Sequence, residues 1–217
     1  MKNNTLHILM FAFLTLLISC SNSDSMGDDN DIIVIKTKEH KTNLPLEGVK
    51  VTLYGCSQLD FEFGCISPDL QAAFNSDANG NCRVPKNIYN KMDGKAVVEK
   101  SKYWRKSYKS SGTELAIEPE AWVTITTKTT MTYPSTSFIA LRTTGELGVV
   151  SVEKIIPAST SNLNYRLFGN ETNKIDWVLY ESGNLVGIYC FDCPVISSGN
   201  FILHPQKFEQ LAYTLNY

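Results

Sequence analysis

Histidine is nearly absent from this 217-residue sequence, which has only His7, His40 and His204. His7 sits in an apolar stretch near the N-terminus, so His40 and His204 alone are left for acid–base work near neutral pH. The nucleophile elbow G-x-S-x-G does not occur, nor does the zinc signature His-Glu-x-x-His. Basic residues are not in excess: 20 Lys and Arg stand against 22 Asp and Glu, for a net charge of −2. That excludes the basic footprint a nucleic-acid partner requires. One locally basic stretch, 100–109, alternates Lys and Arg with Tyr103, Trp104 and Tyr108 and reads as a solvated strand face. Long apolar runs are missing too. The longest, residues 6–18, has 13 positions, short of the roughly 20 that span a bilayer as a helix. Long amphipathic helical patterns are likewise missing.

The apolar run follows Met1-Lys2-Asn3-Asn4-Thr5 and ends in Leu17-Ile18-Ser19-Cys20. A basic start, a short apolar segment and a small residue before a break are the parts of a secretory signal. The last four residues resemble the bacterial lipobox. That resemblance implies cleavage before Cys20, a diacylglyceryl thioether on its thiol, and a mature chain held to a membrane by acyl chains, palmitate among them. Several chains give stable anchoring where one is marginal. Residues 21–31 hold four acids, no base and one apolar side chain, too little to bury and order, so 20–31 reads as a lipidated tether. An acidic tether after a lipidated Cys is similar to the surface-export signal of Bacteroidetes lipoproteins, and Asp24-Ser25-Met26 resembles the short O-glycosylation motif of that phylum, with Ser25 as acceptor. The address these resemblances imply is the outer membrane, with the chain exposed on its surface.

Five cysteines remain beyond Cys20: Cys56, Cys65, Cys82, Cys190 and Cys193. An envelope compartment permits disulfides, and an odd number leaves one thiol over. Cys56 and Cys65 flank one loop and are expected to close it, worth about 2–3 kcal/mol. Cys190-Phe191-Asp192-Cys193 has strand-like flanks and no helix start to lower a thiol pKa, so a structural bridge is expected there. With His204 these two cysteines supply three of the four ligands a zinc site needs; no metal and no cofactor are expected. Cys82 is then the unpaired thiol, facing inward with Val84.

The chain is otherwise a series of short stretches rich in Val, Ile, Thr, Tyr and Phe, separated by Gly, Asn, Asp and Ser. That is the signature of an all-β protein. Val49, Val51 and Leu53 alternate on one face, and Asn79-Gly80 offers the positive φ angles of a tight hairpin. The order Leu44-Pro45-Leu46-Glu47-Gly48-Val49-Lys50-Val51, then Asn75-Ser76-Asp77-Ala78-Asn79-Gly80-Asn81-Cys82, then Ala96-Val97-Val98-Glu99 and Leu115-Ala116-Ile117-Glu118-Pro119 resembles carboxypeptidase regulatory-like, transthyretin-like β-sandwich domains. The resemblance spans 31–119. It implies a Greek-key sandwich and, in envelope proteins, a spacer, folding unit or interaction module. Two departures stand out: a long loop after Gly55 carrying Cys56 and Cys65, and Cys82 where the family often has an aromatic.

The expected organisation is therefore a signal peptide at 1–19, a tether at 20–31, a transthyretin-like sandwich at 32–119, and a second β-sandwich or β extension at 120–217 that shows no internal repeat of the first. Glu181-Ser182-Gly183-Asn184-Leu185 reads as a hairpin turn. Phe61 and Phe63, on the disulfide-closed loop, are a candidate contact patch. Asp60 and Glu62 flank Phe61 as a like-charged pair whose bland reading, a solvated loop, is preferred to glycosidase chemistry. Asp77-Ala78-Asn79-Gly80-Asn81 departs from a calcium loop, with Gly fourth and not sixth. The function expected is a non-enzymatic, membrane-anchored binding or structural module with an unidentified protein or glycan partner. The rival is an accessory glycan- or nutrient-binding lipoprotein of an uptake system, using Trp104, Tyr108, Trp122 and Trp177 as a sugar platform.

Overall fold

Alternation sets the first strand. Ile35, Thr37 and Glu39 point inward and are fully or almost fully buried, while Val34 and Lys36 face out. The computed structural model describes residues 31–55, 58–60, 64–67, 70–92, 95–109, 112–155, 162–186 and 189–217; at 58–60, 64–67, 70, 184–186 and 189–191 it describes only the course of the backbone. Their regular secondary structure is almost entirely strand, and the all-β expectation holds. The strands are β1 (Ile32–Glu39), β2 (Lys50–Gly55), β3 (Gln58–Asp60), β4 (Gly64–Ser67), β5 (Leu70–Asn75), β6 (Asn81–Pro85), β7 (Lys95–Glu99), β8 (Lys106–Tyr108), β9 (Glu114–Ile117), β10 (Glu120–Lys128), β11 (Phe138–Thr144), β12 (Val150–Ile155), β13 (Asn162–Phe168), β14 (Asn173–Tyr180), β15 (Asn184–Val186), β16 (Tyr189–Phe191), β17 (Val195–Leu203) and β18 (Gln210–Asn216). A single-turn helix, α1 (Lys86–Tyr89), follows β6. Among the described residues no helix is long and apolar enough to cross a membrane. Ile33–Tyr217 forms one compact unit.

Within that unit there are two cores. Ile35, Val49, Val51, Leu53, Cys82, Val84, Ala96, Val98, Leu115 and Ile117 pack together from the sheets β6-β1-β9 and β5-β2-β7-β8. Ala121, Val123, Ile125, Ile139, Leu141, Tyr165, Leu167, Ile175, Leu179 and Phe201 do the same from β13-β10-β18 and β12-β11-β14-β17. Each buried aliphatic side chain contributes about 1.5–3 kcal/mol. Both cores are thus three strands facing four.

The two sandwiches have the same topology. In each, the first strand is central to the three-stranded sheet and pairs in parallel with the last, β1 with β9 and β10 with β18. In each, the second strand pairs antiparallel with the third and the fifth, as β2 does with β5 and β7, and β11 with β12 and β14. The fourth strand joins the first, and the sixth forms an edge of the four-stranded sheet. The insertions differ: β3–β4 lies between β2 and β5, and β15–β16 between β14 and β17. No internal repeat was expected from the sequence. The fold repeats because strand order and alternation can be kept while the residues change.

Two turn readings need correction. The Asp77–Gly80 turn does not close a hairpin: β5 and β6 belong to different sheets, so it carries the chain across the sandwich. Gly80 has φ +74, and Asn79 is not among the positive-φ residues, whereas the hairpin turn expected at Asn-Gly needs both positive. The turn closes through Gly80 N–H on Asp77 O (2.9 Å), with Asp77 Oδ1 accepting from the N–H groups of Asn79 and Asn81 (2.9 Å each). A Cβ at Gly80 would lie 2.5 Å from Thr37 O, so the close approach to β1 demands glycine. Likewise, the 181–185 turn does not join paired neighbours. β14 pairs with β17, Glu181 N–H donates to Pro194 O, and β15–β16 is an excursion between them.

Candidate functional site

Among the described residues three carboxylates are more than nine-tenths buried: Glu39, Glu118 and Glu171. All three lie where the first sandwich meets the second. Glu39 arrives there as the last inward position of β1. Tyr103 Oη donates to it at 2.8 Å, Thr42 Oγ1 at 2.9 Å, and Lys207 Nζ, from the β17–β18 connection, at 3.2 Å. Burial opposes its ionisation, but these donors outweigh burial and hold its pKa below the usual carboxylate value. The Tyr103 hydroxyl is pushed up by burial and by the Glu39 carboxylate, so it stays a donor.

The connector between the sandwiches is Glu118-Pro119, and its backbone is tied on both sides. Trp104 N–H donates to Glu118 O (2.9 Å), Gly169 N–H to Pro119 O (2.8 Å), Phe208 N–H to Glu120 O (2.7 Å), and Glu120 N–H to Lys102 O (2.9 Å). Trp104 stacks on Phe168 with centroids 4.5 Å apart, its Nε1 donates to Leu167 O (3.0 Å), and the Arg166 guanidinium lies 3.8 Å from its ring. Arg166 also pairs with the Glu120 carboxylate and donates to Tyr103 O at 3.2 Å. Lys102, Asn170 and Phe208 adopt left-handed backbone angles here, a conformation that surrounding contacts must hold in place for side chains other than Gly.

Glu118 and Glu171 form the centre of this seam. Glu118 Oε1 accepts from Leu147 N–H (2.8 Å) and Glu171 Oε2 from Glu146 N–H (3.0 Å). Glu118 Oε2 and Glu171 Oε1 are buried with no such donor, and the two carboxyl groups are close enough to influence each other's ionisation. Two facing acceptors cannot satisfy one another unless one carries a proton. Burial, reinforced by the Glu171 charge, pushes Glu118 up to about 7, and burial raises Glu171 as well. A proton shared between the two groups would give both orphan oxygens a partner. Gly145 makes room: a Cβ there would collide with the Glu118 carboxyl and the Phe168 ring.

The seam opens on a cleft of about 260 Å³ lined by Lys41, Glu146, Asn170, Glu171, Thr172, His204, Pro205 and Gln206. His40 Nε2 lies 3.3 Å from Glu146 Oε2 and 3.9 Å from Glu171 Oε1; Lys41 pairs with Glu146 at 2.6 Å. His204 Nδ1 is 3.1 Å from Thr172 Oγ1. His204 thus lines the cleft, and His40 reaches two of the acids that line it. The arrangement can hold and exchange a proton. Among the described residues no group of three His, Cys, Asp or Glu could hold a metal ion.

Several sequence-predicted positions fall elsewhere. Cys20, Ser25, Cys56, Phe61, Glu62 and Phe63 lie outside the described residues, as do the side chains of Asp60, Cys65 and Cys190. Cys193 has a bonded partner and does not titrate as a thiol; Asp192 before it is left-handed, φ 58. Cys82 is free and fully buried, as its alternation with Val84 suggests, and burial pushes its thiol up to about 11. The aromatic platform is corrected. Trp104 is buried in the seam, Tyr108 is half-buried and donates to Ala116 O, and Trp122 and Trp177 are half-buried in two different sheets. The basic stretch is not one strand face either: only Lys106–Tyr108 is strand, because Lys102 turns the chain and aims Tyr103 and Trp104 inward. Sequence reasoning missed the acidic seam. One signal was available at Glu39, a charged residue on the inward phase of Ile35 and Thr37.

No family model matches the chain, and no curated protein matches it. Among solved structures it is similar to the minor pilin GBS52 of Streptococcus agalactiae, at 13% identity over 85% of this chain and 94% of that one, TM-score 0.30. It is also similar to the Bacillus anthracis TIE protein, at 11% identity over 86% of this chain and 33% of that one, TM-score 0.27. A streptococcal ancillary pilin aligns at 11% identity over 87% of this chain and 63% of that one, TM-score 0.31. At such scores the likeness carries no argument about what this chain does.

Proposed function

We propose that the chain is a cell-envelope lipoprotein whose body is a rigid, non-enzymatic structural module of two sandwiches, 32–119 and 120–217, the first of them transthyretin-like. The observation that carries this reading is the closed seam. The sandwiches are joined by Glu118-Pro119, whose carbonyls are both bonded, with Trp104, Arg166 and Phe168 stacked across the junction. A flexible linker would leave the two halves to move independently; this connection fixes their relation, which is what a spacer needs. In this reading acyl chains on Cys20 hold the module at the outer membrane, on its outer surface, and 20–31 is the tether, glycosylated at Ser25. Bridges Cys56–Cys65 and Cys190–Cys193 staple the two insertions, and Phe61 and Phe63 present a contact patch to a protein or glycan partner.

Two measurements on the full chain test it. Cys20→Ala is expected to lose detergent-phase partitioning and membrane fractionation; unchanged fractionation defeats the anchor. Spin labels on Lys50→Cys and Lys174→Cys, exposed positions on the two sandwiches, are expected to report one narrow distance distribution. A broad distribution defeats the rigid spacer.

A further inference from the structure

The edges of the two four-stranded sheets are treated differently. In the first sandwich the sixth strand, β8, is three residues long, contains Lys106, and lies between Arg105 and Lys109. A short, basic edge of this kind resists pairing with another chain. Its counterpart in the second sandwich, β17, is nine residues, Val-Ile-Ser-Ser-Gly-Asn-Phe-Ile-Leu, without one charge or proline. Three of the large apolar side chains exposed among the described residues are on it: Val195 (58%), Ile196 (42%) and Ile202 (53%). β14 occupies one side of β17, and no described strand occupies the other. A bulge opposite Leu179 and Tyr180 bends only its first residues; from Ser197 to Leu203 the pairing is regular.

We infer that the free edge of β17 is an interaction surface for the β17 of a second copy, paired antiparallel across a two-fold axis at Gly199. The strand is self-complementary about that residue. Ile196 of one copy falls beside Ile202 of the other, and this happens twice; Ser198 falls beside Asn200. Cross-strand apolar pairs of this kind stabilise a sheet, and like charges directly opposite destabilise it. An uncharged edge brings no like charges together when it meets itself, whereas β8 meeting β8 would set basic residues against each other. The two four-stranded sheets become one of eight. A nine-residue edge is about 30 Å long and covers less than the roughly 800 Å² per partner of a standard interface, so self-association is weak, on the order of micromolar.

Sedimentation velocity of the full chain in nonionic detergent, from roughly 1 to 100 μM, tests this. The wild type is expected to show a monomer–dimer equilibrium. Ile202→Lys, a change at an exposed position confirmed as folded by circular dichroism, should weaken it at least about tenfold, since two apolar pairs are lost. The double variant I196E/I202K should restore it, because each Glu then faces a Lys of the other copy. A wild type that stays monomeric at the highest concentration overturns the inference, and leaves the edge to a strand of another protein. A dimer indifferent to Ile202→Lys, as association through lipid alone would be, overturns it too, and so does a double variant no better than the single one.

Discussion

Replacing Glu118 by Gln should abolish the loss of stability that the seam suffers as pH rises. In the wild type Glu118 titrates at about 7 in the folded chain, against 4.5 for its ordinary value, because it is buried beside Glu171. A folded pKa above the unfolded one means stability that is full below about 4.5 and is lost as pH rises to about 7, after which the loss is constant. At about 1.4 kcal/mol per unit, the rise is worth on the order of 3 kcal/mol. Gln keeps the shape, accepts from Leu147 N–H with its Oε1, and offers an N–H to Glu171 at every pH. The variant should therefore match the wild type near pH 5 and be more stable by about 3 kcal/mol at pH 8, which for a body of this size is a rise of roughly 6–12 °C in Tm. Urea titrations of both proteins between pH 5 and 8 measure the difference directly. Comparing the two proteins removes the contributions of Glu39 and Glu146, whose pKa values are held low and whose stabilisation is lost toward acid. Parallel stability curves across that range would falsify the shared proton.

Trp104→Ala should cost about 3–5 kcal/mol, as loss of a buried aromatic does, while Trp104→Phe, which keeps a ring on Phe168 and loses only the Nε1 bond and some area, should cost less than half of that; thermal melts that rank them the other way contradict the stacking account. Peptide mapping without reduction should link Cys56 to Cys65 and Cys190 to Cys193. In the same experiment Cys82 should resist alkylation at pH 8 until the chain is unfolded, since its thiol is buried and titrates at about 11; Cys82 in a bridge would contradict the pairing.

The parts of the fold that sequence reveals are those set by local rules. Alternation at Val49, Val51 and Leu53 and at Cys82 and Val84 predicts burial, and all five are 0% exposed. The Asp77–Gly80 segment is a turn, as its residues require. What it connects is not local: turn chemistry bends the chain but does not choose the sheet, so a crossover and a hairpin look alike in sequence. The 100–109 stretch misled for a related reason. Its mixture of basic and aromatic residues suits an exposed strand, but left-handed Lys102 breaks the strand and sends Tyr103 and Trp104 into the seam. The acids of the seam were hidden by composition. Glu118 stands beside the expected division at 119/120, and only the arrival of Gly145, Phe168 and Glu171 from the other sandwich makes it a buried group.

The parallel pairing of first and last strands bears on how the chain answers a pull from its two ends. Parallel neighbours that open and close a sandwich are drawn in opposite directions along their length, so their hydrogen bonds are loaded together in shear and not opened one by one like a zip. The first clamp, Lys36 to Glu39 against Glu114 to Ile117, holds four residue pairs; the second, Trp122 to Lys128 against Gln210 to Asn216, holds seven. Under tension the first sandwich, with the shorter clamp, is the one to yield first, and the second keeps its shape at forces that have already extended the other.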